Sequence, residues 1–275
     1  GKAAGWVVIG NGAAIVFAGL SVPWMNTLSP WSWRLSWLVL GLLVCLVALL
    51  CLLLLRNRPQ ELGLAAAGAV AQAKAYQPHQ LGSVRSVPLQ LIFHCGAIYA
   101  IFGFTFVSYA TFIVTTMVRQ YGFSQQVAGS FWCWVGVLSL FSGPLFGMIA
   151  DRYSRRVALM AAFSVQTLAY LLVGLNLGEL ALYCSIGCFG IVAWAIPSIM
   201  AALCGDYAGA DKAVSLFSAI TLLFAGGQVA GPTLAGWIAE KTGTFCGSFL
   251  LAAALTATAV LLALVLPQAG TSEPG

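Results

Sequence analysis

Charge is what this sequence has least of. Its 275 residues include 12 Lys or Arg and 7 Asp or Glu, so 7% are charged while 61% are hydrophobic. Soluble domains run near a quarter charged and half apolar, and this composition excludes that class. Histidine is scarce too: His79 and His94 alone leave a His-based zinc site without a ligand set, and no metal site is expected. The apolar stretches are continuous rather than alternating in polarity, which excludes a membrane barrel. No signal-peptide pattern precedes the first apolar run, and the chain reads as a piece of something longer.

What is present is a series of long apolar runs. Uncharged stretches cover 3–33, 35–55, 86–118, 120–150, 157–178, 180–205, 213–239 and 242–272. A membrane-spanning helix needs about 20 mostly apolar residues, so each stretch holds one span and none comfortably holds two. The reading is an all-α integral membrane protein with eight transmembrane helices, near 5–26, 34–55, 88–118, 126–149, 157–175, 180–202, 212–238 and 243–266. The connection 56–87, with Arg56, Arg58, Pro59, Lys74, Pro78 and Arg85, is the one long linker.

Basic residues alternate unequally between the two sides. With the N-terminus inside, Lys2, Arg56, Arg58, Lys74, Arg85, Arg152, Arg155, Arg156 and Lys212 fall inside, against Arg34, Arg119 and Lys241 outside. This positive-inside bias places both chain ends in the cytoplasm. The net charge of +5 therefore reflects topology, not nucleic-acid binding. The eight cysteines lie in or beside apolar runs and read as reduced thiols packing as small hydrophobes.

Residues 147–156, GMIADRYSRR, break the pattern by placing Asp151, Arg152, Arg155 and Arg156 within six residues. Arginines alone would anchor a short inner loop to lipid headgroups. Asp151, and Gly147 one turn before it, ask for more. G-x-x-x-D-R-x-x-R-R here resembles the signature loop of the major facilitator superfamily, with Ser154 where that loop usually has Gly. In twelve-helix facilitators four spans follow the loop between helices 8 and 9, and a long inner linker joins helices 6 and 7. Four spans follow residue 156 here, and RNRPQELGL (56–64) looks like the exit from helix 6. The segments FSAITLLFAGGQ (217–228), GPTLAGW (231–237) and AWAIPSIMAALCGDYAG (193–209) look like the bacterial YbfB/YjiJ-type branch.

The resemblance implies helices 5 to 12 of a carrier in the bacterial plasma (inner) membrane, with helices 1–4 of the same protein as missing partners. Residues 1–55 would close the N-terminal bundle, 56–87 would link the bundles, 88–266 would form the C-terminal six-helix bundle, and 267–275 would be a cytoplasmic tail. It implies solute transport by alternating access, with the lipid bilayer and a small-molecule solute as partners and no cofactor. Gly147, Asp151, Arg152, Arg155 and Arg156 would form a gate, Asp151 meeting the N-terminus of helix 5 or its own arginines.

Carrier sites lie near the bilayer midplane, and a side chain ten residues into a span is ~15 Å deep. The cavity candidates on those grounds are Asn11, Thr105, Tyr109, Trp132, Trp194, Ser198, Thr221 and Gln228, with Thr105, Tyr109, Trp194 and Gln228 expected to face one polar cleft. Gly10, Gly19 and Pro23 resemble a worn copy of the helix 5 motif of facilitator antiporters. With Gly227, Gly231 and Pro232 they read as small residues that let helices approach closely. GNGAAI (10–15) lacks the preceding strand that a dinucleotide-binding loop needs. No central Ser/His pair, carboxylate pair or His cluster offers catalytic chemistry, so an enzyme is not expected. The alternative to a carrier is a non-transporting membrane receptor or scaffold that kept the fold.

Overall fold

The computed structural model describes residues 2–26, 31–56 and 87–267. Among these residues eight helices follow one another and no strand forms. They are α1 (Lys2–Asn26), α2 (Ser32–Leu54), α3 (Leu89–Arg119), α4 (Gln125–Arg152), α5 (Arg155–Gly174), α6 (Glu179–Val192), α7 (Ala195–Thr242) and α8 (Cys246–Val265). Seven helical spans are long and apolar enough to cross a membrane, and α1 adds the shorter apolar segment Ile9–Val22. The expected linker, 56–87, and the expected tail lie almost wholly outside the described residues.

The chain forms two compact units, Gly1–Ser21 with Val87–Gly275 and, separately, Val22–Ser86. Most of α1 thus groups with α3–α8. The reason is a close crossing of α1 and α4. A Cβ at Gly12 would lie 2.7 Å from Ser139 Oγ, one at Gly136 2.8 Å from the Val16 nitrogen, and one at Gly19 3.3 Å from the Cys133 backbone. Gly10 is different: nothing lies within 4 Å of its Cβ position, so the expected packing role falls to Gly12 instead.

Serines start two of the helices. Ser124 Oγ accepts the Val127 N–H at the head of α4, and Ser154 Oγ accepts the Val157 N–H at the head of α5. Each satisfies one of the donors that a helix start leaves open. Ser154 therefore has a positive role at the position where the signature loop usually carries Gly. Its backbone is extended (φ −175°, ψ 161°), which a serine adopts without strain.

The spans expected at 180–202 and 212–238 appear as Glu179–Gly209 and Lys212–Thr242, and the helical run α7 is broken between them at Gly209 (φ 71°, ψ 172°). Only a residue without Cβ takes that conformation at little cost. A second break falls at Ala193–Trp194, midway along the span Glu179–Gly209. Pro197 explains it, because proline has no N–H for the Ala193 carbonyl. The freed Trp194 N–H donates to Ser142 Oγ of α4 at 3.1 Å.

α3 packs most extensively on α7. The contact is glycine on backbone: Cβ atoms at Gly227 and Gly231 would stand 2.2 Å from the Ala100 and Phe104 oxygens, and one at Gly103 2.4 Å from the Phe224 oxygen. Pro232 follows within α7. Pro23 lies within α1, its side chain outside the described set. Around Tyr109, a second core gathers Tyr170, Phe189 and Phe249 from α5, α6 and α8, with the Tyr109 and Phe189 ring centroids 4.2 Å apart. All eight cysteines are free; Cys95 and Cys204 are buried, whereas Cys45, Cys51 and Cys184 lie on exposed surface rather than in the core.

Candidate functional site

The tight turn between α4 and α5 forms a charged cluster that reaches a third helix. Asp151 ends α4, and Arg155 begins α5 four residues later. The Arg155 guanidinium donates through Nη1 to Asp151 Oδ1 at 2.6 Å and through Nε to Asp206 Oδ2, on α7, at 3.0 Å. One arginine thereby ties together the ends of α4 and α5 and the first arm of α7. Its planar fork suits this, since two nitrogens can serve two carboxylates at once. Arg155 is 20% exposed, Asp151 34% and Asp206 40%, so water reaches the cluster from one side.

A cavity of about 380 Å³ opens beside it, lined among others by Asp151, Ser154, Arg155, Arg156, Asp206 and Tyr207. The Tyr207 hydroxyl donates to the Pro267 carbonyl at 2.5 Å, fastening the segment after α8 to the cavity wall. His94 makes a similar tie, its Nε2–H donating to the Leu262 carbonyl at 2.9 Å in the last turn of α8. Gly147 is buried one turn before Asp151. Arg152 is exposed, with its guanidinium 5.8 Å from the centre of the Tyr153 ring. Asp151 thus meets Arg155. The side chains in the first turn of α1 lie outside the described set.

Asp206 was missed in the sequence, although it is the charge that ends the uncharged run 180–205. Its partnership with Arg155 crosses 51 residues and has no local signature. Ser142, which takes up the freed Trp194 N–H, gave no sequence signal at all.

The cavity candidates divide. Thr105 is fully buried and donates to the Ile101 carbonyl of its own helix at 2.9 Å. Tyr109 is fully buried as well, with its hydroxyl 2.9 Å from Ser185 Oγ. The expectation that both share an open cleft with Trp194 and Gln228 is therefore corrected. The 105/109 face of α3 turns toward α5, α6 and α8, inside the bundle. Trp132, Trp194, Ser198, Thr221 and Gln228 are half-buried, and Asn11 is exposed on α1. Ser198 and Thr221 hydroxyls return to the Trp194 and Phe217 carbonyls at 2.9 and 2.7 Å. Gln228 lies against Gly103, where a Cβ would stand 3.3 Å from its Cγ. The Trp194 indole Nε1 is buried without an acceptor, beside the Phe106 ring at a centroid distance of 5.6 Å.

Among the described residues no group of three or more His, Cys, Asp or Glu side chains is placed to hold a metal ion. What the geometry offers is mechanical: a charged tie among three helix ends, a helix broken at half its length, and a glycine seam between α3 and α7.

Known proteins carry the same sequence pattern. Residues 4–265 match the family described as "Uncharacterised MFS-type transporter YbfB". The class B tetracycline resistance protein of Escherichia coli is 26% identical over 131 residues, which take in 46% of this chain and 32% of that protein. The match thus spans about a third of that relative's length. With apolar helices for repeated membrane crossings and a family match over nearly all its residues, the chain is a multi-pass membrane protein that belongs to the YbfB-type branch of the major facilitator superfamily of transporters.

Proposed function

We propose that the protein moves a small organic solute across the bacterial plasma membrane by alternating access, and that the tie of Arg155 to Asp151 and Asp206 steadies one end of the moving bundle. In this reading the eight helices correspond to helices 5 to 12 of a twelve-helix carrier. Helices 1–4 would complete the wall of the solute path, and both ends of this chain would lie in the cytoplasm. The observation that carries most weight is the three-helix tie. All three residues lie within the expected C-terminal bundle, so the tie would hold the ends of three of its helices together while the bundle moves as a body.

Solute contact is assigned to Trp194, Ser198, Thr221 and Gln228, which are half-buried rather than sealed in the core. Thr105 and Tyr109 take structural roles. The test is flux into proteoliposomes made with the full-length carrier, beginning with tetracycline because of the named relative and continuing through uncharged and zwitterionic metabolites. Saturable flux that falls in Arg155→Ala is expected. Absence of saturable flux for every solute, with correctly folded protein, would favour a scaffold or receptor.

A further inference from the structure

In the unit Val22–Ser86, four side chains crowd the start of α2. Trp31, Trp33 and Trp37 are 61%, 57% and 72% exposed, and Arg34 is exposed among them. The Arg34 guanidinium carbon lies 4.3 Å from the centre of the Trp31 ring and 5.1 Å from that of Trp33. No acidic residue occupies the first turn, and the ion pairs among the described residues do not involve Arg34. Indole and guanidinium groups donate hydrogen bonds and accept none. The cluster is therefore rich in donors and positive charge, with no carboxylate of its own.

Its position along the helix says what it would meet. Trp33–Leu54 runs for 22 residues, none of its apolar window buried within the protein. That length rises about 33 Å, close to the hydrocarbon thickness of a bilayer, ~30 Å. With Leu54 near one face, Arg34 and the tryptophans fall at the headgroup level of the other, where indole rings favour the interface. Arg34, Leu38 and Leu42 follow at i, i+4 and i+8, and both leucines are exposed, so an apolar track descends from the cation into the membrane. A molecule that fits has an anionic head offering two acceptor oxygens to the guanidinium fork and a hydrocarbon tail below.

We propose that Arg34, held against Trp31 and Trp33, binds the phosphate of a phospholipid headgroup, with an acyl chain along Leu38 and Leu42. With its guanidinium carbon over the two rings, Arg34 can still offer two parallel bonds to phosphate oxygens. A polypeptide partner would need a carboxylate at the same depth; the apolar track and the membrane setting favour lipid. The site rests on the membrane placement of the chain and not on the transport reading.

Native mass spectrometry of the full chain, released from detergent and titrated with phosphatidylglycerol, tests it without any transport measurement. Arg34→Ala should weaken retention of the lipid about fivefold, the effect of one cation at an anionic surface. Arg34→Lys keeps the charge without the flat fork and should fall between the two. Inorganic phosphate at millimolar concentration should not displace the lipid, because it lacks the tail. Retention in Arg34→Ala equal to the parent overturns the proposal. Full displacement by inorganic phosphate overturns the lipid assignment in favour of a simple anion site. Circular dichroism of each variant separates a lost site from a lost fold, and Arg34→Lys decides the matter should Arg34→Ala unfold. Flux in proteoliposomes made with the same variants is scored separately, so a failed lipid site leaves the transport reading standing.

Discussion

Gly231 of α7 faces the Phe104 carbonyl of α3 so closely that a Cβ at residue 231 would stand 2.2 Å from the oxygen. Gly227 repeats the relationship one turn earlier, against the Ala100 carbonyl. In both cases the obstacle is main chain, so no side-chain rotation can relieve it. Gly231→Ala should destabilise the protein by about 1–3 kcal/mol, the usual range for overpacking. Gly226→Ala provides the control, since nothing lies within 4 Å of its Cβ position. That variant should be neutral or gain up to about 1 kcal/mol from helix propensity. Unfolding of the two variants in one detergent checks the contrast, and equal effects would count against a glycine seam.

Tyr109 has a different part from the one its place on α3 suggests. Ser185 Oγ gives its proton to the Ala169 carbonyl at 2.7 Å, so the Tyr109 hydroxyl is the donor in its bond to Ser185. Tyr109→Phe removes one buried hydrogen bond and leaves the ring stacked on Phe189. The expected loss is about 1 kcal/mol of stability, with the apparent KM of the intact carrier unchanged. A changed KM at unchanged stability would return Tyr109 to the solute path.

The helices were legible in the sequence because bilayer thickness sets a minimum apolar length, and each run met it. Asp151 and Arg155 stood out for a related reason: in a chain this poor in charge, clustered charges mark an end of a span. Their third partner did not stand out, because nothing local to Asp206 shows which loop it will meet. Helical spacing showed that Thr105 and Tyr109 share a face, but not whether that face meets a cavity or the neighbouring helices. Gly10 and Gly12 make the same point at finer scale. Both belong to a small-residue run on α1, yet only Gly12 touches α4. Spacing identifies candidate rows, and the rotation of the helix decides between them.

The break at Trp194 gives a prediction about local opening. Pro197 leaves the Ala193 carbonyl without its helical donor, and Ser142 accepts the Trp194 N–H from outside the helix. Pro197→Ala would restore a donor, allowing α6 to run directly into α7. Hydrogen exchange at residues 193–198 should slow in that variant and quicken in Ser142→Ala. Transport by the intact carrier should fall in Pro197→Ala if the break is a working hinge. Unchanged exchange in both variants would show that neither residue controls the break.

The Arg155 tie leads to the most demanding test, because it separates charge from connectivity. Its partners are partly exposed, so each pair is worth about 0–1 kcal/mol and melting temperatures should move little. The quantity that should move is access to the protein interior from the Arg155 end. Asp151→Asn and Asp206→Asn each leave Arg155 one carboxylate, and the double variant leaves it none. Labelling of a single cysteine placed beyond the tie should quicken in each single variant and further in the double. Arg155→Lys keeps the charge, but its one nitrogen cannot serve two carboxylates in the way Nε and Nη1 do, so it should resemble a single variant. Salt at 1 M should shift the parent the same way, since screening acts over about 3 Å at that strength. If charge alone matters, Arg155→Lys will label like the parent. If connectivity matters, it will label like Asp206→Asn. A double variant that labels at the parent rate would mean that the three residues hold no gate, and that Asp151 and Asp206 merely balance nearby positive charge.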